Sequence, residues 1–230
     1  VVDTGSQDAT PEIVRAAGGS VVEFLWRGDF AAARNASLAA AQCEWVLVLD
    51  ADELISAGLV QEIRAVANDA SVGAATVVMH NALPHGHRRQ SRLLRLFRNH
   101  PQVRYQHRIH EDASESVFAR LAATGQKPIH LKGGIEHLGY VRERAQARNK
   151  KTRDVGLLEA QLAAAPDDFY SHYKLLEQAR FWEDTGLAKR AASRALAALE
   201  RQGHKAVRGA HYGGALLVFG LLALLVFAER

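Results

Sequence analysis

Cysteine is nearly absent from this chain. The single thiol, Cys43, excludes an internal disulfide and a cysteine metal cage, and a reducing, cytoplasmic setting is expected. The N-terminus has no basic stretch leading into an apolar one, so no signal peptide is visible. There is no Gly-rich phosphate loop with its Lys, no G-x-G-x-x-G, and no H-E-x-x-H among the 11 histidines. Neither charge dominates: 29 basic against 25 acidic residues leave a net +4. That balance suits a pocket for an anionic ligand and does not argue for nucleic acid. With 48% apolar and 23% charged residues, 230 residues can bury a real core. The chain starts without Met inside an apparent strand end and stops at Arg230 after an apolar run, so it reads as a fragment.

The first half alternates between strand and helix signals. Val1-Val2 reads as a strand remnant, and Thr10-Pro11-Glu12 as a capped helix start running to Ala17, ended by Gly18-Gly19. A short strand over 20–24 and an Ala-rich helix over 29–41 follow. The apolar run Glu44–Leu49 predicts a strand buried on both faces of a parallel sheet. A helix over 58–68 and a strand over 73–80 come next. This predicts an α/β fold: an open, mostly parallel sheet with flanking helices, where ligands bind beyond the carboxyl ends of strands.

Residues 84–139 are less regular and rich in His and Arg, with short strands expected over 93–98 and 103–107. Trp26, Trp45 and Trp182 read as core or cleft-wall residues. From Arg142 the pattern turns helical: one helix over 143–163, then a hairpin over 169–185 and 187–202 turned at Gly186. Pro166-Asp167-Asp168, Tyr173, Leu176, Gly186, Ala188 and Ala195 resemble one tetratricopeptide unit. The expected domains are therefore 1–141 and a helical, repeat-like segment over 142–230. Its tail, 213–228, has no polar side chain; it reads as a buried repeat helix, or alternatively as a membrane-contacting segment.

Chemistry concentrates at strand exits. Asp50 and Asp52, two residues apart after the apolar strand, can face one cleft, and their repulsion favours a hard cation such as Mg²⁺ or Mn²⁺. Such an ion would stabilise a diphosphate leaving group; the plainer reading is a polar loop. Asp3 to Thr10 offers a carboxylate, a Gly and hydroxyls leading into a helix, suited to a ribose or base edge. Arg88, Arg89, Arg92, Arg95 and Arg98 read as the solvated face of a strand or as phosphate neutralisers.

Val1-Val2-Asp3-Thr4-Gly5-Ser6-x-Asp8-x-Thr10, Phe30-Ala31-Ala32-Ala33-Arg34-Asn35 and Leu49-Asp50-Ala51-Asp52-Glu53 together resemble family 2 glycosyltransferases of the GT-A fold, over about residues 1–140. The family's opening strand is missing from this N-terminus. The added helices look like a bacterial subgroup. The resemblance implies a nucleotide-sugar donor, with a UDP-sugar expected, an acceptor glycan, lipid or peptide, and Mn²⁺ or Mg²⁺ as cofactor. It implies that Asp3 contacts the nucleoside, that Arg34 and Asn35 flank the donor cleft, that Asp50 faces ribose or sugar, and that Asp52 holds the metal. It also implies inversion in one displacement, with a carboxylate base.

For that base, Glu111 in Arg108-Ile109-His110-Glu111-Asp112 is the first candidate and Asp112 the second. His110 would orient the acceptor or act as the base itself. His137 is the candidate further metal ligand, with a structural histidine as the alternative. A competing reading makes the helical segment a protein- or peptide-binding module on an inactive transferase scaffold. A third makes the paired acids those of a nucleotidyltransferase.

Overall fold

The computed structural model describes residues 1–82, 88–137, 147–207, 210 and 212–218, with residues 82, 88, 89, 147–149 and 204 described by their backbone alone. The chain separates into two compact units: Val1–Arg27, Ala31–Gln106 and Glu111–Gln146 in one; Gly28–Phe30, His107–His110 and Ala147–Arg230 in the other.

The first unit opens with β1 (Val2–Asp3), α1 (Thr10–Ala16) and β2 (Val22–Glu23), and β1 and β2 pair in parallel. Thr10 is not the cap expected of it. It is the first helical residue, and its N–H donates to Asp8 Oδ1 at 3.0 Å. Then come α2 (Phe30–Ala40, whose first residue belongs to the second unit), β3 (Trp45–Leu47), β4 (Glu53–Ile55), α3 (Ala57–Ala67), β5 (Val72–Ala82), β6 (Arg88–Arg98), α4 (Ser114–Thr124) and β7 (Lys127–His137).

These strands build one five-stranded sheet in the order β3-β6-β5-β7-β4. The α/β class holds, but the sheet is not mostly parallel. Only β5–β7 run parallel; β3–β6, β5–β6 and β4–β7 are antiparallel. Likewise β3 is a half-buried edge strand rather than a central one. A continuous apolar run reports burial of both faces; it carries no information on strand direction or place in the sheet. The short strand expected over 103–107 is irregular backbone with one bridge, Gln106 to Asp112.

Alternation along the strands sends side chains to two layers. On one face Phe97, Ala74 and Val103 pack with Leu38 of α2 and with Val117 and Leu121 of α4. On the other, Leu96, Val77, Met79 and Ile135 pack with Leu59 of α3. Each such fully buried side chain contributes about 1.5–3 kcal/mol. Helix α3 starts where Ser56 Oγ accepts the Leu59 N–H at 3.2 Å. It lies so close to β7 that a Cβ on Gly133 would stand 2.6 Å from Leu59 Cα.

The second unit contains α5 (Ala147–Ala164), α6 (Phe169–Phe181), α7 (Thr185–Gln202), a 3₁₀ turn (His204–Val207) and a helical stretch over 213–218. Leu158 and Leu162 of α5 pack with Leu175 and Leu176 of α6, Leu187 and Ala191 of α7, and Leu216. Asp168 and Asp184 cap α6 and α7, accepting the Ser171 and Leu187 N–H groups. The hairpin therefore turns at 182–184, with Glu183 at φ 51°, and Gly186 lies inside the first turn of α7. The Asp cap, not the glycine, sets the boundary. No helix among the described residues is long and apolar enough to cross a membrane. Most of the apolar tail, 219–228, lies outside the described residues.

Candidate functional site

The exit of β3 carries the acidic loop. Val48 still follows the sheet, its N–H donating to Arg95 O at 2.8 Å. The chain then turns at Asp50 and returns as β4. Glu53 closes this turn: its carboxylate accepts the Asp50 N–H at 2.8 Å, and the Glu53 N–H donates to Asp50 O at 3.1 Å. The turn separates the two aspartates and gives each a different partner.

Asp50 faces two arginines. The Arg34 terminal nitrogen pairs with Asp50 Oδ1, and Arg34 Nε donates to Glu111 Oε1 at 3.2 Å. Arg95 reaches Asp50 Oδ2 at 3.4 Å and Glu53 Oε1 at 2.6 Å. Five charges thus form a chain, Glu111–Arg34–Asp50–Arg95–Glu53. Burial raises the Asp50 pKa, and Arg34 and then Arg95 more than offset it, so Asp50 sits below the usual carboxylate range. Burial pushes the Glu53 carboxyl up, against the Asp50 N–H and Arg95. Arg34 is held charged: burial opposes this, and Asp50 and Glu111 outweigh it.

Arg95 and Glu53 join Asp50 in one network, an arrangement that the residue pattern did not indicate. The pairing of β5 with β6 passes from Ala75–Leu96 to Thr76–Leu94, so Arg95 is the extra residue of a β-bulge. A bulge re-aims its side chain. Even spacing gives part of the signal, since Arg95 differs in parity from Arg92 and Arg98. Those two turn elsewhere, Arg92 to Leu131 O at 2.9 Å and Arg98 over the Trp45 ring. The side chains of Arg88 and Arg89 lie outside the described residues.

Asp52 faces His137, at the end of β7, with Oδ2 3.2 Å from Nε2. His137 Nδ1 lies 2.8 Å from Asn81 Oδ1, so Asn81 holds the ring and Nε2 faces the Asp52 carboxylate. A proton on Nε2 makes this contact a hydrogen bond, and a lone pair there makes the two groups a candidate pair of cation ligands. A carboxylate oxygen and an imidazole nitrogen are both groups that would suit Mn²⁺ or Mg²⁺. Among the described residues no group of three His, Cys, Asp or Glu forms a complete cage. Such an ion takes its remaining ligands from substrate phosphates and water.

The other expected residues divide. Asn35 grips the backbone of Tyr105, accepting its N–H at 2.8 Å and donating to its carbonyl at 2.9 Å, which fixes the segment leading to Glu111. Asp112 is engaged locally: its Oδ1 accepts the N–H and hydroxyl of Ser114 at the start of α4. His110 belongs to the second unit, at φ 54°, its ring 3.3 Å from Gln178 Nε2 and its carbonyl accepting the Tyr170 hydroxyl at 2.9 Å. Burial, and then Lys174, pull its pKa down to about 4, so it is neutral at pH 7. Asp3 accepts from Ser6 and Gly5 within its own loop, and the Ser6 hydroxyl holds its pKa below the usual value.

A model of the family described as Glycosyl transferase family 2 matches residues 1–123. The chain is similar to a TPR repeat-containing protein of Synechococcus elongatus, 38% identical over 201 residues, covering 81% of this chain and 49% of that protein. It is similar to the SPbeta prophage-derived glycosyltransferase SunS of Bacillus subtilis, 27% identical over 172 residues, covering 73% of this chain and 39% of that one. The chain thus spans half or less of the length of the curated relatives it matches. Among solved structures it is similar to the mannosyltransferase PcManGT from Pyrobaculum calidifontis in complex with GDP-Man and Mn²⁺, at 22% identity and a TM-score of 0.47, covering 100% of this chain and 72% of that one. The family match spans more than half of the chain: it belongs to glycosyltransferase family 2.

Proposed function

We propose that the chain transfers a sugar from a nucleoside-diphosphate donor, a UDP-sugar, to a glycan, lipid or peptide acceptor with inversion at the anomeric carbon. The observation that carries this reading is the Arg34 bridge, which ties the strand-exit carboxylate Asp50 to Glu111. In this reading residues 1–141 are the transferase domain and 142–230 the helical segment.

Asp52 and His137 are the residues that would hold Mn²⁺ or Mg²⁺. When bound, the ion supplies charge stabilisation to the departing diphosphate. The protein does the rest. Asp50, held ionised and oriented by two arginines, accepts hydrogen bonds from the donor's ribose or sugar. Asn35 fixes the loop that presents Glu111, and the Asp3 loop borders the nucleoside. Glu111 accepts the acceptor hydroxyl proton as that oxygen bonds to the anomeric carbon and the bond to the diphosphate oxygen breaks. Asp112, bonded to Ser114, is the second candidate for that base.

The test is turnover of a UDP-sugar panel by the wild type and Glu111→Gln. Loss of a proton acceptor lowers kcat by about 10²–10⁴ with donor affinity retained. Full turnover in Glu111→Gln contradicts the assignment. Release of pyrophosphate instead of nucleoside diphosphate favours a nucleotidyltransferase. A second reading, in which α5–α7 dock a peptide or protein beside an inactive transferase unit, draws on the helical hairpin and the TPR-named relative. It is favoured if the chain captures a partner and binds no nucleotide.

A further inference from the structure

Two cavities of about 320 and 310 Å³ adjoin in the first unit, with Asn99 and His100 lining both. Arg98 and Arg120 line the first, and Arg104 lines the second. None of Arg34, Asp50, Asp52 and Glu111 lines either, so this is not the donor site. Among the described residues the lining holds three arginines and no Asp or Glu.

The polar walls are oriented. Asn99 Nδ2 donates to Ala41 O and Cys43 O at 2.9 and 3.0 Å. Gln126 Nε2 donates to Ala70 O at 3.0 Å, and Gln126 Oε1 accepts the Thr124 hydroxyl at 3.1 Å. His100 Nδ1 accepts the Gln102 N–H at 3.1 Å, so the neutral ring carries its proton on Nε2, as a donor. Arg98 and Arg104 are turned largely to backbone carbonyls, which satisfy hydrogens and leave the charge; at Arg98 the carboxylates of Glu44, 3.7 Å away, and of Asp69 oppose part of it. Arg120 is half-buried; its carbonyl accepts the Thr124 hydroxyl at 3.0 Å, and its guanidinium forms no ion pair or hydrogen bond among the described residues. A planar guanidinium with its donors unused, in a cavity without carboxylates, calls for an oxyanion.

We infer that these cavities bind a small phosphorylated molecule, with Arg120 and the His100 Nε2–H on its phosphoryl oxygens. The first cavity holds about ten waters' worth of volume at about 30 Å³ each, room for a phosphoryl group on a body the size of one sugar ring. Val103, Val117 and Leu121 give that body an apolar wall.

The test is titration of the full chain with inorganic phosphate and with glucose 1-phosphate, in EDTA to silence a metal-dependent diphosphate site, followed by backbone NMR. Saturable shifts are expected at Asn99, Thr124 and Gln126. Arg120→Gln weakens binding at least about tenfold, while Arg120→Lys keeps part of it. Tighter binding of glucose 1-phosphate identifies a phosphosugar; equal binding identifies free phosphate. Arg120→Gln leaves Mn²⁺-dependent UDP affinity unchanged, so this site and the donor site fail or stand separately. Shifts reproduced by sodium chloride at equal ionic strength, shifts confined to residues 50–53, or binding indifferent to Arg120→Gln would overturn the inference.

Discussion

Asp52 Oδ2 and His137 Nε2 stand 3.2 Å apart, with the opposite ring nitrogen of His137 fixed on Asn81. That geometry sets Nε2 against a carboxylate. Replacing His137 with Ala, or Asn81 with Leu, removes a ligand or the group that orients it. Mn²⁺ affinity in the presence of UDP is expected to fall about 10–100-fold in each case. Calorimetry checks this, and unchanged affinity in both variants argues that Asp52 works without His137.

Arg34 joins Asp50 and Glu111 through two different nitrogens. Lysine keeps the charge but cannot present that fork. Arg34→Lys is expected to lower kcat/KM about 10–100-fold with a smaller change in melting temperature, because both carboxylates keep some solvent. Steady-state kinetics and a thermal melt check the two together. A collapse of stability with no specific kinetic effect places Arg34 in the fold instead.

Gly133 tests the packing that positions β7 and hence His137. A Cβ there meets the backbone of Leu59, which has no flexible end to move. Gly133→Ala is expected to destabilise the chain by about 1–3 kcal/mol, read as a shift in the urea midpoint. A neutral outcome means that α3 can move away from the sheet at little cost.

The fold was legible where one signal had one meaning. The Asp50-Ala51-Asp52 loop after an apolar strand, and the switch from strand to helix periodicity late in the chain, are stated directly by residue type. Strand direction was not, because β3 is equally apolar as a parallel or an antiparallel strand. Helix α4 and strand β7 hid in a stretch crowded with His and Arg, where charged residues obscure the alternation. The site was partly legible: Arg34 joins Asp50 to Glu111, and Asp52 stands apart from them against His137. Arg95 needed a bulge that no local residue type announces, and the Ser114 bonds of Asp112 could not be read from its place in the sequence.

His110 gives a pH prediction. Its pKa falls from an ordinary value near 6.5 to about 4 in the folded state. A depressed folded value means that the unfolded chain binds the proton more tightly. The stabilisation is therefore present above about 6.5 and is lost as pH falls toward 4. Over that window it amounts to on the order of 3 kcal/mol. Asn tolerates the left-handed backbone at this position and does not titrate. His110→Asn is expected to flatten the loss of stability between pH 6.5 and 4, measured by urea melts across the range. An unchanged slope assigns the acid sensitivity to other groups.

The central claim is a metal-dependent diphosphate site at the β3 exit. Calorimetric titration with UDP, with and without Mn²⁺, on the wild type and Asp52→Ala tests it most directly. The account predicts binding that requires Mn²⁺ and disappears in Asp52→Ala. UDP binding that is equally tight without the metal, or that survives intact in Asp52→Ala, would contradict it.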